Sequence, residues 1–155
     1  MGENTFSVSV AGIAAALASI DEIKARSVNL QPVAQAVGLA AQADVDERFN
    51  SSPGVRSDGQ AYGGVTWERL TDAYLAQNPK REGGQQLRDT GELLNSFTVG
   101  GEGNVLQAGG SEITFGSALP KARGLANKRP LLIVHPDLVE AIAAIFEAYV
   151  VRGVS

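Results

Sequence analysis

The chain has 155 residues, of which 44% are hydrophobic, 19% charged and 6% aromatic, and a formal net charge of −4. With no cysteine and a single histidine, it excludes disulfides, thiolate metal sites, cysteine nucleophiles and any site needing two imidazoles from one chain. The acidic balance argues against a broad electrostatic grip on nucleic acid, no apolar run approaches the ~20 residues that span a bilayer, and the first residues lack the order of a signal peptide.

These features are those of one soluble domain made in a reducing cytoplasm. Phe6, Val8 and Val10 alternate with Thr5, Ser7 and Ser9, which predicts a short half-buried strand broken by Gly12. Ile13, Leu17, Ile20 and Ile23 then recur at helical spacing among alanines, predicting a helix that ends near Arg26. A second helix is predicted from about Asn29–Pro32, with Val33, Val37, Ala41, Val45 and Phe49 on its apolar face. Asp44, Asp46, Glu47 and Arg48 are assigned to the opposite, solvated face.

Residues 51–66 read as a long polar loop. The spacing of Trp67, Leu70, Tyr74 and Leu75 fits one or two helical turns capped by Thr66. Residues 78–86 read as loop again, so the segment 51–89 is expected to be loop-rich and ordered by neighbouring subunits. Leu87–Leu94 predicts a short helix or turn. Three strands are predicted at 96–99, 104–108 and 112–115, separated by the glycine-rich turns 100–103 and 109–111. A basic loop (Lys121, Arg123, Lys128 and Arg129) leads to a fourth strand at 131–134. Pro136 opens a last helix with Leu138, Ile142, Ile145, Phe146 and Tyr149 on its buried stripe. Helices followed by meandering strands predict an α+β fold: a small antiparallel sheet on two or three helices, with a long extended loop region.

Candidate chemistry is sparse. His135 precedes Pro136 and falls near a helix N-cap; a catalytic role needs a positioned partner, and no Gly-x-Ser-x-Gly accompanies it. Gly100, Gly101 and Gly103 lack the residues of a P-loop or a dinucleotide fingerprint and read as a hairpin turn. Asp44, Asp46 and Glu47 could do acid–base work or hold a hard cation, but a solvated helix face is the commoner use of such residues. The cluster 121–129 could meet phosphates or an acidic partner, or stand as a solvated loop. Trp67, the lone tryptophan, anchors its loop either on its own core or on a neighbouring subunit.

Taken in order, several motifs carry a resemblance. They are Arg48-Phe49, Asp58-Gly59, Trp67-Glu-Arg-Leu70-Thr71, Leu87-Arg-Asp-Thr90-Gly91-Glu-Leu93-Leu94-Asn-Ser96-Phe97, Phe115-Gly116-Ser117 and Arg129-Pro130-Leu131-Leu132. Their order resembles the virion-morphogenesis or tail-completion proteins of tailed phages, including Mu-like phages, over most of the chain. Residues 118–127 depart from the pattern: they lack the Tyr and His found there in such proteins.

The resemblance implies a structural, non-enzymatic subunit of the head–tail junction that needs no cofactor or metal. It implies a ring, commonly sixfold, that meets adjacent connector or stopper proteins and the tail tube protein. Genome DNA would pass through the lumen without specific binding, no membrane would be involved, and the location would be the virion after assembly in the host cytoplasm. In this reading Thr90-Gly91 sets a tight entry to a strand, Leu93 and Leu94 pack below it, and Ser96 follows. Arg129-Pro130 forms a rigid edge beside the last strand. The expected interface residues are Trp67, Leu70, Tyr74, Arg88, Lys121, Arg123, Lys128 and Arg129, with the loops 51–66 and 117–128. A head-side adaptor or stopper is the alternative. A small hydrolase using Asp44, Glu47 or His135, and a DNA-binding module using 121–129, are the other classes weighed.

Overall fold

A computed structural model describes residues 10–50, 67, 70–81, 91–125 and 129–155. Helix α1 spans Val10–Ser27. It runs through Gly12, the expected breaker: the alanines around it offset the ~1 kcal/mol that a mid-helix glycine costs. Val10 is therefore helical, and the rest of the expected strand at 5–10 lies outside the described residues. A 3-10 turn, Gln31–Val33, holds Pro32 and leads directly into helix α2, Ala34–Asn50. Asn29 does not cap with its side chain; its carbonyl accepts the Tyr149 hydroxyl at 2.8 Å.

Helix α3 (Asp72–Gln77) is capped by Thr71, whose side chain accepts from the Tyr74 N–H at 3.2 Å. Trp67 stands outside that helix, and Thr66 lies outside the described residues. A 3-10 turn follows at Pro79–Arg81. The short helix expected at 87–94 is described only as α4, Glu92–Asn95, entered through Gly91 at φ +76°; the left-handed region favours glycine.

The sheet is smaller than expected. Among the described residues it holds two antiparallel strands, β1 (Asn104–Gly109) and β2 (Glu112–Ser117), registered from Asn104 opposite Ser117 to Gly109 opposite Glu112. Residues 96–99, expected as a strand, form consecutive turns instead. The Ser96 hydroxyl donates to the Leu93 carbonyl at 2.7 Å, and Thr98 N–H donates to Asn95 O at 3.0 Å, so local partners capture the polar groups that a ladder would need. Residues 131–134 form no strand either: Leu131 is drawn into the core beside α2, and Pro130 has no N–H to give a ladder.

Helix α5, Pro120–Leu125, occupies part of the expected basic loop. Helix α6, Pro136–Val150, begins where Pro136 predicts and buries Leu138 and Tyr149. Gly153 (φ +72°) ends it: its N–H bonds Tyr149 O at 2.8 Å, a left-handed C-terminal cap. Arg26 of α1 adds a cation at that end, donating to Val150 O at 2.9 Å.

The fold is thus α+β, with a hairpin lying on α2. Gly38 permits the close approach. A Cβ there would sit 2.8 Å from Leu106 Cδ2. One core cluster joins Val45, Phe49, Trp67, Leu93, Phe97 and Leu131. A second joins Leu30, Val33 and Tyr149, with Ile113, Ile145 and Phe146 packed around them.

Candidate functional site

The expected apolar face of α2 is buried, and so are two residues expected in solvent. Asp44 and Arg48 are 5% and 0% exposed. They lie one helical turn apart, on the same side as Ala41 and Val45. Asp44 Oδ1 shares a hydrogen bond of 2.5 Å with Nε2 of His135. His135 is the N-cap residue of α6 in extended conformation and is itself buried. The pair therefore bolts the start of α6 to the middle of α2. Arg48 is also partnered within the protein.

This geometry joins His135 to Asp44 but gives neither an open approach for a substrate. Of the other carboxylates weighed with it, Glu47 is exposed and Asp46 half-buried, so the three acids point to different surroundings and do not form one site. No group of three or more metal-ligating side chains occurs among the described residues.

A second polar centre surrounds Ser96, which is completely buried. Its hydroxyl accepts from the Ser117 hydroxyl at 2.8 Å. Ser117 Oγ in turn accepts from the Leu119 N–H at 3.1 Å. Asn104 Nδ2 donates to Ser96 O at 3.2 Å and to Gly116 O at 3.3 Å. The bonds from Ser117 and Asn104 to Ser96 tie the turn after α4 to the base of the hairpin, and the other two brace that base itself. Gln42 adds a tie from α2, its Oε1 accepting from Val99 N–H at 2.8 Å. Ser96 and Ser117 both belong to motifs that carry the resemblance; Asn104 and Gln42 do not, and no sequence spacing marks them.

The expected interface residues differ in exposure. Trp67 is 3% exposed, packs edge-on against Phe49 at 5.5 Å between ring centroids, and donates from Nε1 to Pro130 O at 2.8 Å. It is packed into its own core. Leu70 is half-buried, and Tyr74 is 42% exposed on α3. Lys121 pairs with Glu92, Arg123 is exposed, and Arg129 is half-buried and partnered. Gly91, Leu94, Ser96 and Pro130 sit around the core beside Leu93 and Leu131. Among the described residues Pro130 borders no strand; its carbonyl accepts the Trp67 indole N–H. Arg88, Thr90 and Lys128 lie outside the described residues, as do the loop 51–66 and residues 126–128.

Large apolar side chains stand outside this interior. Leu17 and Ile20 on α1 are 57% and 45% exposed, Val134 80%, and Val139 on α6 51%. No helix of the described residues is long and apolar enough to cross a membrane. Comparison with models of known families, with curated proteins and with solved structures finds no match.

Proposed function

We propose that the protein is a structural subunit of a tailed-phage head–tail junction, a tail-completion or terminator component that works as a ring of copies between the tail and the DNA-filled head. The observation that supports assembly over turnover is the division between inside and outside. The polar clusters around Asp44 and Ser96 are buried and spent on joining elements, while Leu17, Ile20, Val134 and Val139 remain exposed. Exposed apolar side chains of this kind are available for contact with other copies. The motif order from Arg48-Phe49 to Arg129-Pro130 supplies the kind of assembly. On this reading the protein is not an enzyme, takes no cofactor, and leaves DNA free to slide past an acidic subunit.

The test is fractionation of purified phage particles into heads and tails, with mass spectrometry of each and native mass spectrometry of the isolated protein. The expected result is the subunit on tails, in ring stoichiometry. Retention on heads would favour the adaptor or stopper position instead. Absence from finished particles, or a reproducible turnover activity, overturns the proposal.

A further inference from the structure

The hairpin has an edge suited to another strand. Its loop is Gly110-Ser111, between the paired residues Gly109 and Glu112. Antiparallel pairs alternate between bonded and non-bonded positions, so Gln107 bonds across to Thr114 while the N–H groups of Leu106 and Ala108 face the outer edge of β1. Among the described residues, neither N–H makes a backbone hydrogen bond beyond the hairpin. A groove runs along this side, between Pro32 and Gln35 near the start of α2 and Leu106, Gln107 and Ala108 of β1; no β2 residue lines it.

The groove's lining carries no charge, and its inner side is apolar through Pro32, Val99 and Leu106. A fitting occupant is an uncharged segment alternating apolar and polar residues. Thr5-Phe6-Ser7-Val8-Ser9 has that pattern, and no charged residue occurs from Asn4 to Ile20. At about 3.3 Å per residue, five residues match most of the six-residue β1.

Helix α1 separates this segment from the point where the helix is held. Arg26 is fixed to the end of α6, yet every residue from Leu17 to Glu22 is exposed. With a rise of about 1.5 Å per residue, Val10 lies roughly 24 Å along the axis from Arg26. We propose that residues 5–9 of one copy add as a third strand to the β1 edge of a second copy, with Phe6 and Val8 turned into the groove and Ser7 on the same solvent face as Gln107. The ladder supplies affinity and the alternating side chains supply register. The exchange deepens the assembly reading and rests on it, because copies must meet.

The chain has no cysteine, so the test is direct. Full-length Ser7→Cys and Gln107→Cys variants are mixed in equal amounts, oxidised, and read by intact mass. The expected product is the mixed disulfide, above its statistical share. Ala108→Pro in the Gln107→Cys chain removes the outward N–H without removing a hairpin bond, and lowers the yield about tenfold, equivalent to ~1.4 kcal/mol. Phe6→Ser with Val8→Ser in the Ser7→Cys chain lowers it similarly and leaves the hairpin residues unchanged. No excess of the mixed species, or yields indifferent to these changes, overturns the exchange. So does a Ser7→Cys/Gln107→Cys double variant that closes only within one chain at dilution. Each of these failures leaves the virion location standing, which fractionation tests separately.

Discussion

The indole N–H of Trp67 donates to the carbonyl of Pro130 across 63 residues of sequence. The bond fixes the segment ahead of α3 to the stretch between α5 and α6, and it satisfies a polar atom that the indole carries into the core. Trp67→Phe keeps most of the packing against Phe49 but leaves the Pro130 carbonyl without its donor, at a cost of about 1–3 kcal/mol. Trp67→Ala removes the ring as well and costs about 3–5 kcal/mol. Urea unfolding of the isolated protein measures both. An unchanged midpoint for Trp67→Ala would mean that the indole does not serve its own core.

The Asp44–His135 pair predicts a non-additive cycle. Removing either partner leaves the other buried and short of one hydrogen bond, at a cost of about 1–3 kcal/mol. Asp44→Ala and His135→Ala are each expected in that range, with the double variant well short of their sum. Additive losses in a denaturant series would show that the two side chains act independently.

Ser96 carries the link between α4 and the hairpin. Ser96→Ala deprives the buried Leu93 carbonyl of a donor and Ser117 of its acceptor, and is expected to cost about 1–3 kcal/mol. Ser117→Ala on the Ser96→Ala background should add only the loss of the Leu119 N–H bond, since the bond between the two serines is already gone. A full second loss in thermal unfolding would contradict this.

The glycines of the hairpin region predict a sharp contrast. A Cβ at Gly101 would stand 2.1 Å from the Asn95 carbonyl, while nothing lies within 4 Å of one at Gly116. Gly101→Ala must displace backbone and is expected to destabilise by about 1–3 kcal/mol. Gly116→Ala should stay within about 0.5 kcal/mol. Comparable melting points for the two variants would refute the close approach.

The spacing of Val33, Val37, Ala41, Val45 and Phe49 was enough to find α2 and its core face, and Pro136 with Leu138 and Tyr149 located α6. The glycine-rich turn at 109–111 located the hairpin. Asp44 and Arg48 were misread because their charge outweighed their position, although the helical period puts both beside Ala41 and Val45. Leu131–Val134 has the composition of a strand, but burial of Leu131 against the helices and the missing N–H of Pro130 decide otherwise. Phe97, Thr98 and Val99 favour a strand one by one, and the local bonds of Ser96 and Asn95 overrule them. Long-range polar partners such as His135 for Asp44, or Pro130 for Trp67, leave no trace in spacing, because they arise only when distant elements pack.

The continuous rod from Val33 to Phe49 is a wall common to both apolar clusters, Val33 serving one end and Val45 and Phe49 the other. Neither cluster can dissolve while the rod stays intact and packed, so the described body has no natural seam at which to come apart in halves. Its amides in the middle of this rod should be the last to exchange with deuterium, and both clusters should open with them in a single event.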